Sequence, residues 1–214
     1  MTRPANALRL ALRDFYANSW RLVPLNFALG AIVIAIGAAA MHSKPAIVLL
    51  AFGGPFVAAI AHASVTVVRE GNLTLRDLGD GFLLHWRRGF VLGAVGSVVF
   101  LLGVLAAGFY ARSQLMWPLV ALSVYIVVLL GIYQLVLWTL AVAEPGRPLR
   151  ACARDAAELV ARRPGATLLL GLALLVVNAV GVAAAMMPFL TLTVAYSFLA
   201  AAHFAVAPTV EDPS

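Results

Sequence analysis

Charged side chains are scarce in this sequence. Asp, Glu, Lys and Arg make up 11% of its 214 residues, whereas 63% are hydrophobic, a balance far from that of soluble globular domains. None of the long apolar runs contains a charged residue, which removes the usual marks of proton relays, ion pathways and voltage sensors. The composition predicts an all-α, polytopic membrane helix bundle of about six transmembrane helices.

Catalytic and redox patterns are missing as well. The sequence has no HExxH zinc motif, no GxSxG nucleophile elbow and no P-loop, so we expect neither enzyme activity nor a bound metal or cofactor. The single cysteine, Cys152, excludes an internal disulfide. It lies between two alanines on an amphipathic segment, where we expect a small apolar residue and not a reactive thiol.

Six apolar runs are long enough to cross a membrane. They lie at about 22–41, 46–68, 90–110, 118–143, 166–186 and 190–207. The last two are separated by an expected turn at Met187 and Pro188, and five spans with a long re-entrant stretch are the alternative. Gly53, Gly54 and Pro55 predict a kink in the second run. A cleavable signal peptide is disfavoured for the first run, because the segment before it is too long and the run exceeds the usual ~7–15 residues.

The placement of the basic residues predicts the topology. Net charge is +6, and the loops that alternate along six spans divide the 15 Lys and Arg residues 13 against 2, with only Lys44 and Arg112 on the minority side. The positive-inside rule then puts both termini in the cytoplasm, as expected for a multi-pass protein of the cell membrane. Because the arginines flank apolar runs, they suit anionic lipid headgroups and not nucleic acid.

Three amphipathic segments precede the first, third and fifth runs, and each contains a Leu-Arg pair followed twelve residues later by another arginine. The arginine pairs are Arg9 and Arg21, Arg76 and Arg88, and Arg150 and Arg162. This spacing predicts a single membrane domain, 1–214, made of three units of amphipathic helix plus hairpin at 6–68, 74–143 and 148–208. Three independent positive-inside loops remain the alternative.

The central segment, 74–89, has the clearest amphipathic pattern. We expect Thr74 to cap its first turn. Helical spacing gathers five apolar residues on one face that we expect to be buried: Leu75, Leu78, Phe82, Leu83 and Trp86. The candidate cytoplasmic contacts to anionic lipid or to a partner protein are Arg76, Trp86, Arg87 and Arg88.

Few polar side chains lie inside the apolar runs. The candidates for intramembrane polar contacts are Gln134, Asn178 and Tyr196. For the two amides, hydrogen bonding between helices and contact with a neutral ligand both remain open.

Two stretches resemble a known family. Residues 53–95, GGPFVAAIAHASVTVVREGNLTLRDLGDGFLLHWRRGFVLGAV, and residues 14–26, DFYANSWRLVPLN, resemble the YesL-like family of bacterial membrane proteins of unknown function. The resemblance covers most of the first 100 residues, whereas the third unit departs from it by being rich in alanine. It implies an accessory role beside carbohydrate ABC-transporter components, and it transfers no catalytic residues.

Two functions follow as expectations. The first is an accessory or assembly component linked to carbohydrate transport, and the second is a small transporter or substrate-capturing membrane subunit for a neutral solute. An enzyme acting on lipid is disfavoured, because no acid, base or nucleophile lies in a span. An internal polar cavity would favour the transporter over the accessory protein.

Overall fold

The chain forms a polytopic bundle of helices. A computed structural model describes residues 3–184 and 192–206, and within these ranges it contains no strand. The helices are α1 (Pro4–His42), a 3₁₀ helix (Lys44–Gly53), α2 (Gly54–Glu70), α3 (Leu75–Tyr110), a 3₁₀ turn (Gln114–Met116), α4 (Trp117–Ala143), α5 (Leu149–Arg162), α6 (Pro164–Ala183) and α7 (Val194–Ala205). The all-α prediction is therefore confirmed.

Five helices are long and apolar enough to cross a membrane. They are the segments Pro4–Ala39, Leu49–Glu70, Leu75–Tyr110, Trp117–Ala143 and Pro164–Ala183. In the region of the predicted sixth span, α7 is an apolar helix of 12 residues. The predicted turn at Met187 and Pro188 lies outside the described residues, so the count of six stays a prediction.

The sequence predicts three separate amphipathic helices. The first two amphipathic segments are instead continuous with the spans that follow them. Residues 75–89 continue without a break into the third apolar run as α3, and α1 likewise runs through Pro24. Only α5 is separate from the span that follows it. There Pro164 starts α6, and a proline disfavours helical backbone at the preceding residue, Arg163. The three repeat units stay a prediction.

The predicted cap at Thr74 agrees with the structure. The Thr74 hydroxyl accepts from the Asp77 backbone N–H at 3.3 Å, and the Asp77 carboxylate accepts from the Thr74 N–H at 2.6 Å. This is a capping box, and it confirms the predicted cap of α3. At the glycines where a kink is predicted, the chain changes from 3₁₀ helix to α-helix at Gly54, with Pro55 in the first turn of α2; the kink itself stays a prediction.

Helices α2 and α7 lie at the centre of the bundle. Their buried residues form one core with the first half of α1 and with the end of α4. Helices α2 and α3 approach so closely that a Cβ atom added to Gly89 would lie 2.9 Å from both the Gly54 carbonyl oxygen and the Pro55 Cα. The glycines therefore permit backbone-to-backbone contact at the point where these helices cross.

The bundle is packed at one end and open at the other. The packed end, here called the basic end, contains Arg21, Arg69, Arg88 and Arg147, whose side chains bind groups on other parts of the chain. Towards the other end, the outer parts of α3, α4 and α6 expose large apolar side chains, among them Phe100, Leu102, Leu122, Leu172 and Val176. Apolar exposure along helices of this length is what a lipid-facing surface requires.

Candidate functional site

Two arginines bind the corner where α4 turns into α5. The Arg88 guanidinium donates to the carbonyl oxygens of Ala141 (2.9 Å), Glu144 (3.2 Å) and Arg147 (2.7 Å). Arg69 donates to the Ala143 carbonyl at 3.1 Å. The last carbonyls of a helix have no intrahelical donor and carry the negative end of its dipole. The two cations therefore fix the α4–α5 corner, residues 141–147, against α2 and α3.

The same corner is joined to α5 by an ion-pair network. Arg147 lies 2.7 Å from the Asp155 carboxylate and 3.1 Å from that of Glu144. The hydrogen bond that Arg147 donates to the Glu144 carboxylate, followed by the charge of Asp155, raises the pKa of Arg147. The Tyr133 hydroxyl donates to the Ala153 carbonyl at 3.3 Å. Contacts from α4 and from the corner thus hold α5 in one position.

Helix α5 has a buried face and a basic face. Cys152, Ala156 and Leu159 are buried, and burial raises the pKa of the Cys152 thiol. The opposite side of α5 and the residue that follows the helix expose four arginines, here called the α5 surface: Arg150, Arg154, Arg162 and Arg163. Arg162 pairs with Glu158. In the described part of the chain, no ion pair joins the other three to a carboxylate, so α5 presents excess positive charge.

A second exposed basic group lies on α3. The α3 strip consists of Arg76, Trp86 and Arg87. Arg76 lies 3.4 Å from Asp80, and the Arg87 guanidinium lies 5.4 Å from the centre of the Trp86 ring. The fourth predicted contact on this helix is Arg88. Its guanidinium instead donates hydrogen bonds to the carbonyls of the α4–α5 corner. Three of the four predicted side chains are therefore exposed, and one binds the chain itself.

The predicted buried face of α3 is wrong in part. Leu75 and Leu83 are 65% and 71% exposed, and Trp86 is 50% exposed, whereas Leu78 and Phe82 are half-buried. The buried positions between residues 75 and 89 are Gly81, His85 and Gly89. Small residues allow α3 to approach α2 closely, so this face turns inward. The large apolar residues face outward, where lipid can cover them.

Two of the three predicted polar residues link helices. The Tyr196 hydroxyl donates to the Leu8 carbonyl at 3.2 Å, which joins α7 to α1. The Asn178 amide donates to the Leu174 carbonyl at 2.8 Å and to the Ser197 hydroxyl at 2.9 Å, which joins α6 to α7. Both side chains contribute to packing of the bundle.

Gln134 differs from these two residues. Its side-chain carbonyl oxygen, Oε1, is buried, and no donor in the described part of the chain binds it. The residue lines a cavity of about 340 Å³ between α1, α2, α3 and α4. Apart from Gln134, Ser97 and the indole N–H of Trp138, the side chains lining this cavity are apolar. It is therefore not the polar cavity that transport of a neutral, hydrophilic solute requires.

Sequence reasoning missed one polar contact and one contact between imidazole rings. His203 Nε2 lies 2.8 Å from the Asp14 carboxylate, which links α7 to α1, although these residues are 189 positions apart. His85 is 1% exposed and lies beside His62, with ring centres 5.2 Å apart. The spacing of Gly81, His85 and Gly89 at intervals of four was the available signal for the buried face of α3.

The described residues bring together few groups with chemical reactivity. Within residues 3–184 and 192–206, no group of three or more His, Cys, Asp or Glu side chains is arranged to hold a metal ion. The geometry instead provides a fixed basic helix outside the apolar spans and an apolar cavity between them. No protein-family model, curated protein or solved structure matches the chain.

Proposed function

We propose that the protein is a non-enzymatic accessory or assembly component of a membrane transport system, with carbohydrate transport as the system class. In this proposal the basic end lies on the cytoplasmic side of the bacterial inner membrane, in agreement with the positive-inside rule. The α5 surface and the α3 strip are the contacts to the partner and to anionic headgroups. The supporting observation is the fixation of α5 by Arg88 and Arg147.

A fixed helix is a better docking element than a mobile loop. Binding through a mobile segment costs the entropy of ordering that segment, whereas a segment already held in place avoids this cost. The interactions of Arg88 and Arg147 with the α4–α5 corner and with Asp155 do not involve the α5 surface. That surface can therefore meet an acidic partner without disturbing the fold, and charge complementarity then favours rapid and specific association.

The alternative is a small transporter for a neutral solute, and the polar groups of residues 3–184 and 192–206 give it little support. Asn178 and Tyr196 use their polar groups within the bundle, and the cavity beside Gln134 is mainly apolar. A sugar would lose many hydrogen bonds to water there and regain few. The spans are accordingly proposed to anchor the protein, and the basic end to carry its function.

Site-specific photocrosslinking tests the docking surface. A photoreactive amino acid at Arg154 of the α5 surface should give an adduct with a transport-system component in intact cells. The same amino acid at Arg112, an exposed arginine in the loop between α3 and α4, is the matched control and should not. Equal adducts at both positions, or lipid adducts alone at Arg154, would contradict a specific protein partner.

Flux measurements test the alternative. Purified protein in liposomes should show no saturable uptake of radiolabelled sugars. Saturable uptake that is abolished in Asn178→Leu would establish transport and overturn the accessory function.

A further inference from the structure

Two histidines from neighbouring helices lie side by side at the basic end. His62 of α2 and His85 of α3 have ring centres 5.2 Å apart, with 45° between the ring planes. His85 is 1% exposed, and neither of its ring nitrogens has a hydrogen-bond partner in the described part of the chain. A neutral imidazole carries one donor and one acceptor, and buried polar groups are normally bound. The His85 ring therefore has a requirement for a ligand that the chain around it does not meet.

Gly81 allows the His62 ring to lie directly on α3. A Cβ atom added to Gly81 would lie 2.9 Å from His62 Cδ2 and 3.1 Å from His62 Cγ, so only glycine leaves room for the ring here. His85 follows Gly81 one turn later on the same face of α3. The glycine and the helix geometry thus bring together two imidazoles from different helices.

The surroundings of the pair suit a cation. Gly81 and His85 precede the apolar run that begins at residue 90, and the His62 ring is half-buried, so water can reach the pair. Three carboxylates act on the His62 ring, and one arginine opposes them there, while a second arginine acts on His85. These groups are Asp77, Asp80 and Glu70, against Arg69 and Arg88.

The distance between the rings fits a tetrahedral metal ion. Imidazole is a ligand for zinc, copper, iron and nickel, whereas magnesium and calcium prefer oxygen. With Zn–N bonds of about 2.0–2.1 Å and tetrahedral angles, the centres of two imidazole rings on one zinc ion lie about 5 Å apart. The separation of the His62 and His85 rings, 5.2 Å, agrees with this value.

We propose that His62 and His85 bind one Zn²⁺ ion through one ring nitrogen each. No third His, Cys, Asp or Glu in the described ranges joins them in a metal-binding group, so water completes the coordination. The ion joins α2 to α3 one turn before the close contact at Gly89. Because the two ligands lie on different helices, no short zinc motif marks them in the sequence. This inference is independent of docking at the α5 surface.

Metal titration of the purified protein tests the site. The protein is prepared in detergent through a tag without histidine, freed of metal with a chelator and titrated with Co²⁺. We expect one Co²⁺ ion per chain with the visible absorption bands of tetrahedral Co²⁺, and one equivalent of Zn²⁺ should abolish them. Excess Mg²⁺ should not displace the Co²⁺, because imidazole is not among its preferred ligands.

Variants identify the ligands. Loss of either ring, in His62→Gln or His85→Gln, should weaken Zn²⁺ binding by at least about tenfold, the smallest loss usual for changes beside a metal ligand. His42→Gln is the matched control, because His42 is exposed at the C-terminal end of α1 and far in sequence from the pair. It should bind Zn²⁺ as the wild-type protein does.

Gly81→Ala separates the position of the His62 ring from its presence. The added Cβ atom displaces the ring, so Zn²⁺ binding should weaken by about tenfold although both imidazoles are retained. Gly79→Ala is the control on the same helix, since nothing lies within 4 Å of its added Cβ, and it should leave binding unchanged.

Two results would overturn the proposal. Absence of the tetrahedral Co²⁺ bands in the wild-type protein would show that the two rings only pack against each other. Zn²⁺ binding of equal strength in the wild-type protein and in His62→Gln would show an adventitious ion only. If His85→Gln is too unstable to purify, His62→Gln and Gly81→Ala carry the test, because His62 is only half-buried.

Discussion

The Arg88 guanidinium donates a 2.7 Å hydrogen bond to the carbonyl oxygen of Arg147, so one arginine fixes the backbone position of another that lies 59 residues further along the chain. Arg147 in turn pairs with Asp155 of α5. The connection runs from α3 through the α4–α5 corner to the basic helix. Any change that loosens Arg88 should therefore be detected at α5.

Arg88→Gln tests this connection. The shorter, neutral amide cannot replace three hydrogen bonds from a cation, and we expect a loss of about 2 kcal/mol in the free energy of unfolding, the usual value of a charged hydrogen bond. Limited proteolysis at residues 144–148 should accelerate. The control is Arg87→Gln, since Arg87 is exposed and stacks on Trp86. Equal proteolysis of both variants would show that Arg88 does not hold the corner.

Gly89→Ala tests the contact between α2 and α3. The added methyl group would lie 2.9 Å from the Gly54 carbonyl oxygen and from the Pro55 Cα, which are backbone atoms that cannot move aside. Overpacking of this kind costs about 1–3 kcal/mol, so Tm in detergent should fall. Gly108→Ala is the matched control on the same helix, because nothing lies within 4 Å of its added Cβ. A higher or unchanged Tm for Gly89→Ala would contradict the close packing.

Cys152 should react slowly in the folded protein. Burial raises the pKa of its thiol above the ordinary value of about 8.5, so less thiolate is present at a given pH, and the sulfur is also shielded. Maleimide labelling at pH 8 should be roughly tenfold slower than in denaturing detergent. Labelling at equal rates in both conditions would show that α5 is detached from the bundle.

The raised pKa also predicts a dependence of stability on pH. The unfolded thiol ionises first, so its contribution to stability is complete below about pH 8.5 and declines as the pH rises further. Cys152→Ala removes the titrating group and should flatten this part of the stability curve. An identical decline in the variant would assign it to other groups.

Composition and spacing were sufficient for the helical class and the cap at Thr74, because each depends on local sequence. The inward face of α3 could not be predicted in this way. A prediction from hydrophobic periodicity assumes that large apolar residues are buried away from water. Around a membrane span, however, both the protein interior and the lipid are apolar. Close packing then decides the orientation, and Gly81, His85 and Gly89 face inward while Leu83 faces outward.

The α4–α5 corner was beyond sequence reasoning for a different reason. In the sequence, Arg88 is one of several arginines beside an apolar run, and the side chains of such arginines usually contact lipid headgroups. Its acceptors are backbone carbonyls that only the fold brings near, more than fifty residues away. Likewise, nothing in the sequence distinguishes Gln134, which lacks a donor among the described residues, from Asn178, which binds Ser197.

The last prediction concerns topology, on which the docking function depends. The division of basic residues, 13 against 2, predicts six spans with both termini in the cytoplasm. Reporter fusions should then place Ser43 and Arg112 outside and Ser214 inside. If Ser214 is outside together with Arg112, the span count is odd, although α5 would remain on the cytoplasmic side. If Ser43 and Arg112 are both inside, the whole orientation is reversed. The α5 surface would then face away from the cytoplasm, and cytoplasmic transport components could no longer be its partners.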